Sequence, residues 1–208
     1  GRTTINSGGL INHELTNRKV FSYDSYRKHI DQLLTENKTT GENHSEAMIG
    51  FTNMNVTRMN RLDKRSSLNE ELFDALVKLP VQKWLVISEA WCGDAAQNLP
   101  WIVKMAEANN KISLEIILRD ENLDIMDEYL TNGGRSIPKL IAIDQQNEVI
   151  FDWGPRPQNV QSLYTSLKEQ GHDYSEISKQ LHTWYAKDKG QSIQSEFSRL
   201  ISTATSAV

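Results

Sequence analysis

The chain has 208 residues, 38% hydrophobic and 24% charged, with a formal net charge of −4 and a single cysteine. That length suits one domain with additions, and the charge balance, without a clustered basic face, argues against nucleic acid as a partner. No apolar run approaches the ~20 residues that span a bilayer, and one cysteine excludes an intramolecular disulfide framework.

Residues Gly1 to Asn12 are rich in Gly, Ser, Thr and Asn and read as a flexible arm. They lack the apolar stretch of a secretory signal, so a cytoplasmic location is expected. Lys19 to Leu34 carries Val20, Phe21, Tyr23, Tyr26, Ile30, Leu33 and Leu34 near helical spacing, with Ser22 or Asp24 as cap. Asn37 to Asn43 breaks the pattern. A second helix is expected from Ser45 to about Arg61, with Met48, Ile49, Phe51, Thr52, Val56 and Met59 along one broad face. That face either packs on the rest of the chain or supplies a homodimer interface. Arg58, Arg61, Lys64 and Arg65 follow as a basic end. They suit a helix C-terminus, or form a docking patch for an acidic partner.

Ser67-Leu68-Asn69-Glu70 matches the Ser-x-x-Glu capping box and opens a helix that stops at Pro80. Lys83 to Ser88 reads as a short buried strand. Asp94 to Ala108 reads as a helix with a kink expected at Pro100. Ile112 to Arg119 reads as a strand and Asn122 to Leu130 as a helix, closed by Asn132-Gly133-Gly134 as a left-handed cap. Lys139 to Ile143 and Glu148 to Trp153 form a hairpin around Asp144-Gln145-Gln146-Asn147. Gly154-Pro155-Arg156-Pro157 is a hard stop, and helices follow over Gln158 to Glu169, Tyr174 to Lys187 and Ser192 to Ser202. The order predicts an α/β chain with a mixed sheet: two parallel strands joined by a helical crossover, then an antiparallel pair. The expected division is a helical extension over 1–66, the sheet domain over 67–170 and a helical tail over 171–208.

The lone cysteine stands in Trp91-Cys92-Gly93-Asp94-Ala95, after the apolar run Trp84-Leu85-Val86-Ile87 and at the start of a helix. Unpartnered N–H groups and the helix dipole at such a position favour a thiolate, so Cys92 is expected to have a lowered pKa. Asp94 has two readings. As a first-turn carboxylate it satisfies helix N–H groups; alternatively it is a base or a substrate-binding group. Its charge opposes ionisation of Cys92. Glu89, just before the turn, is either solvated or a partial substitute for an acid beneath the cysteine. The five histidines are scattered without zinc-site spacing, and Gly133-Gly134 is not a phosphate loop, so neither metal nor cofactor is called for.

Trp91, Cys92 and Gly93, a proline eight residues after the cysteine, and Ile137-Pro138 downstream resemble the thioredoxin active site, Trp-Cys-Gly-Pro-Cys in its commonest form. The Trp-Cys-Gly-Asp-Ala version is similar to that of a group of bacterial thioredoxin-family proteins with a helical N-terminal extension. The resemblance spans about Leu68 to Gln170. It implies a thioredoxin-like fold, a cis bond before Pro138, and Cys92 as the attacking thiol. Two departures stand out. Ala95 replaces the resolving cysteine, and Val86 replaces the buried aspartate expected six residues before Cys92. One thiol cannot close its own disulfide. The resemblance therefore implies either monothiol exchange with protein or low-molecular-weight thiol and disulfide substrates, released by an outside thiol, or a non-catalytic binding module using the same Cys92/Pro138 groove for a protein partner. In either case Trp91, Gly93, Ile137 and Pro138 would form the docking surface. Arg119 and Arg135 would approach the cysteine side, to stabilise a thiolate or hold an anionic substrate, or to pair with Asp94, Asp120 or Glu121.

Overall fold

The computed structural model describes residues 15–206; the arm expected over Gly1 to Asn12 lies outside them. The helices are α1 (Tyr23–Thr35), α2 (Glu46–Arg65), α3 (Glu70–Leu76), α4 (Gly93–Glu107), α5 (Leu123–Met126), α6 (Gln158–Glu169), α7 (Tyr174–Asp188) and α8 (Gln191–Ser206). The strands are β1 (Gln82–Ser88), β2 (Ile112–Leu118), β3 (Lys139–Asp144) and β4 (Val149–Trp153). They form one sheet in the order β2-β1-β3-β4. β1 and β2 run parallel across the α4 crossover; β3 is antiparallel to both β1 and β4. This is the mixed sheet between helices that the sequence predicts.

The central strand β1 is buried on both faces, which explains its unbroken apolar run. Successive side chains alternate between faces. Trp84 and Val86 enter a large core with α4 and α8. Leu85 and Ile87 enter a second core with Ile125, Met126 and Tyr129. Ten of the fifteen residues of α4 are buried, as expected for a helix covered nearly all round. The helix continues through Pro100.

The flanking helices are integral to this core. Tyr26 and Ile30 of α1, Met59 of α2 and Phe197 of α8 all lie in it, so it stops at neither residue 66 nor residue 170. The Tyr26 hydroxyl meets Ser88 Oγ at 2.9 Å, at the end of β1. Phe21 exchanges two backbone hydrogen bonds with Ile116 and so covers the outer edge of β2. Helices α6 and α7 share a separate small core of Val160, Leu167, Ile177, Leu181 and Tyr185.

Local readings hold where local chemistry decides. Ser22 caps α1 in a capping box with Ser25, and Ser45 caps α2. Three readings are corrected. α3 is capped by Asn69, whose side chain accepts from the Leu72 N–H; Gln194 Oε1 of α8 binds the Asn69 N–H and fixes that start. The helix expected over Asn122 to Leu130 shrinks to α5, preceded by a 3-10 turn over Arg119–Glu121. Asn132 and Gly133 both have positive φ, and Thr131 and Gly134 bond each other through both backbone pairs. That is a two-residue hairpin turn, not a helix cap.

Candidate functional site

Cys92 is the N-cap of α4. Its Sγ accepts from the Ala95 N–H at 3.4 Å and donates to the Ile137 carbonyl at 3.4 Å. The Ile137–Pro138 bond is cis, and both residues are buried. A cavity of about 350 Å³ opens over the sulfur. It collects Trp91, Cys92, Gly93, Asp94, Arg119, Arg135 and Ile137; Pro138, expected on the same surface, is buried and is not part of the lining.

The roof of the cavity comes from the C-terminal helices, through Tyr164 of α6 and Tyr174, Ile177, Ser178, Leu181 and His182 of α7. The sequence reading missed this cover. Its signal was the stripe Tyr174, Ser178, Leu181, His182 and Tyr185, which falls on one face of a helix. Gly93 allows the approach, because a Cβ there would lie 2.8 Å from His182 Nε2.

Asp94 neither caps α4 nor stands free as a base. Its Oδ2 accepts from Arg156 Nε at 3.1 Å and Nη2 at 2.6 Å, and its Oδ1 accepts from the Tyr185 hydroxyl at 2.5 Å. Asn98 Nδ2 donates to the Tyr185 oxygen at 3.0 Å, and Gln97 Nε2 meets His182 Nδ1 at 2.9 Å. The Asp94 and Arg156 side chains are only 12% and 13% exposed. This cluster fastens α7 to the start of α4. Arg156, which reads in sequence only as part of a stop, stands at its centre and stacks over Tyr164 at 4.5 Å.

The expectation of a lowered thiol pKa is reversed. Cys92 keeps part of its surface open, but the protein packed around it desolvates the thiol and Asp94 repels its anion. Together they push the pKa up to about 12, outweighing the Ala95 N–H and Arg156. Burial pushes Tyr185 well above its ordinary value, with Asp94 adding to it. Burial and the field of Arg58 push His182 down to about 4, so its imidazole is neutral. Arg119 stacks on Trp91 at 5.0 Å and pairs with Asp120; Arg135 pairs with Asp127. Neither arginine pairs with Asp94.

Glu89 is also corrected: it is 1% exposed. Thr40 Oγ1 donates to its Oε2 at 2.9 Å and accepts from the Ala90 N–H, tying the loop before α2 to the Cys92 turn. Its Oε1 is buried without a partner. Burial pushes its pKa from an ordinary 4.5 up to about 7. Between those values the unfolded chain has released the proton and the folded chain has not. Stability contributed by Glu89 therefore falls as pH rises from about 4.5 to 7, by roughly 3 kcal/mol at most. Unfolding free energies of wild type and Glu89→Gln, measured across pH 4.5–8, are expected to diverge over that window, with the variant gaining as pH rises. Parallel curves would contradict this.

A central mixed sheet, a cysteine capping the crossover helix and a cis-proline loop facing it define a single-thiol member of the thioredoxin class. A thioredoxin family model matches residues 41–168, more than half of the chain, and the chain belongs to that family. Among solved structures, it is similar to a protein of unknown function from Pseudomonas aeruginosa, with 18% identity and a TM-score of 0.57 over 84% of this chain and 97% of that one. It is also similar to an HIV epitope scaffold, with 18% identity and a TM-score of 0.53 over 83% of this chain and 97% of that one. A comparison with curated proteins returned no match. Among the described residues, no helix is long and apolar enough to cross a membrane, and no group of three or more His, Cys, Asp or Glu could hold a metal ion.

Proposed function

We propose that this protein is a thioredoxin-fold binding module that holds its partner in the cavity over Cys92 and Ile137 with the thiol protonated. The observation that carries this reading is the enclosure of Cys92 between the Ile137 carbonyl and the cover of α7. Its Sγ donates to the Ile137 carbonyl beneath α7, and burial with Asp94 holds the proton on. The attacking species in disulfide exchange is the thiolate. Among the described residues no base stands ready to make it: Asp94 is engaged by Arg156 and Tyr185, and His182 is bound to Gln97. Ala95 supplies no resolving thiol. A cytoplasmic setting fits a lone free cysteine.

The N-cap placement of Cys92 beside an open cavity favours a second reading, monothiol exchange. There the Cys92 thiolate attacks a target disulfide, forms a mixed disulfide and expels the other sulfur as a thiolate. A low-molecular-weight thiol such as glutathione then cleaves the mixed disulfide and restores Cys92. Turnover of a small disulfide with glutathione separates the two. The binding reading expects wild type and Cys92→Ser to give equal, background rates at pH 7.5. Turnover that disappears in Cys92→Ser would replace it with the exchange reading.

A further inference from the structure

We infer that the Cys92 cavity binds a small anionic molecule, one carrying a carboxylate or phosphate on a flat or apolar body. This rests on the binding reading above and names the ligand class. The cavity is lined by three guanidinium groups, Arg119, Arg135 and Arg156, against one carboxylate, Asp94. That carboxylate is engaged by Arg156 and Tyr185, and Arg156 is itself committed to Asp94 and Gln161, so Arg119 and Arg135 are the lining guanidiniums left for a ligand. The acids paired with Arg119 and Arg135 are Asp120 and Asp127, both well exposed. Such exposed pairs are weak and leave the guanidiniums able to take a second anion.

A fourth guanidinium, outside the lining itself, is linked to the Cys92 turn through Asn55. Arg58 of α2 is half-buried and donates to Asn55 Oδ1 at 2.7 Å. Asn55 Nδ2 in turn donates to the Ala90 carbonyl at 3.0 Å, just before Trp91. The charge of Arg58 is felt by Tyr174 and His182, both in the cavity lining. Among the described residues no carboxylate forms an ion pair with it. A partly desolvated guanidinium without a counter-charge is a costly arrangement that a bound anion relieves. A carboxylate or phosphate can take guanidinium N–H groups two at a time.

The rest of the wall selects the body of the ligand. Trp91, Tyr164, Tyr174 and Ile177 line it, and His182 is neutral. The volume, about 350 Å³, lies at the small end of ligand pockets, and α7 roofs it. These features favour a small molecule over a protein chain.

The test uses the full chain and its one thiol as reporter. Modification by N-ethylmaleimide is followed at pH 8.5 with benzoate, with benzamide as its uncharged counterpart, and with inorganic phosphate. At tenfold the half-saturating concentration, a bound anion is expected to slow modification roughly tenfold, while benzamide does not. Protection by benzoate identifies a carboxylate ligand, and protection by phosphate alone a phosphate ligand. Arg58→Gln is expected to raise the half-saturating concentration about tenfold, and Arg61→Gln, at an exposed position of the same helix, to leave it unchanged. Should Arg58→Gln fail to fold, added NaCl on the wild type decides instead: a rising half-saturating concentration is expected. Protection by neither anion, equal protection by benzamide, or indifference to both Arg58→Gln and salt would overturn the inference. Rapid modification at neutral pH without any anion would instead overturn the protonated-thiol reading and leave the protection ratio to be judged separately.

Discussion

Replacing Asp94 with Ala is expected to lower the unfolding free energy by about 3–5 kcal/mol. Asp94 and Arg156 are both almost wholly enclosed and meet at 2.6 Å. Their partners Tyr185 and Asn98 are buried as well. Removing the carboxylate strands the Arg156 charge in a poorly solvated place and leaves the Tyr185 hydroxyl without its acceptor. Breaking such a pair costs far more than replacing both members. The double variant Asp94→Ala/Arg156→Met is therefore expected to recover most of the loss. Urea denaturation of the two variants measures this directly. A loss under about 1 kcal/mol for Asp94→Ala would place the pair among weak surface contacts. Removing Asp94 also removes one of the two influences raising the Cys92 pKa, so that pKa is expected to fall while burial still holds it above the ordinary thiol value.

The second large effect is expected at Gly154. Its φ is +123°, and an added Cβ would lie 2.2 Å from the Pro138 carbonyl oxygen. An alanine meets both an unfavourable backbone conformation and a backbone obstacle that cannot rotate away. Strain of about 1–3 kcal/mol adds to overpacking of a further ~1–3 kcal/mol. Gly154→Ala is therefore expected to cost roughly 2–6 kcal/mol in total. It is also expected to displace the loop carrying the Ile137 carbonyl that accepts the Cys92 thiol, changing the alkylation rate. Gly133→Ala is the control. Its φ is +78° but nothing lies within 4 Å of the added carbon, so only the conformational cost of about 1 kcal/mol is expected. Equal losses at the two glycines in thermal or urea unfolding would contradict the argument.

The fold was legible because its signals are local or periodic. The unbroken run from Trp84 to Ile87 marks a strand buried on both faces, and the Cys92 motif with Pro138 marks the crossover and the loop facing it. The state of the site was not legible, because contacts between remote residues determine it. Tyr185 reaches Asp94 across 91 positions, and Gln194 fixes the start of α3 across 125. The Ser67-x-x-Glu70 box is a sound local pattern that this remote contact overrides. Asn132-Gly133 serves a helix end or a hairpin turn equally well, and the neighbouring backbone decides. Glu89 read as solvated because nothing nearby in sequence announces Thr40. Cys92 shows the same limit most sharply. The helix start alone argues for a thiolate, but the cover by α7 and the charge of Asp94 prevail over it.

The most direct test of this account is the pKa of Cys92, from the pH dependence of iodoacetamide alkylation of the folded protein. Alkylation is expected to be slow at pH 7, with a rate that keeps climbing beyond pH 9 without levelling. A rate that reaches its plateau below pH 8 would mean that the thiolate forms readily under α7, and would return Cys92 to the role of a nucleophile.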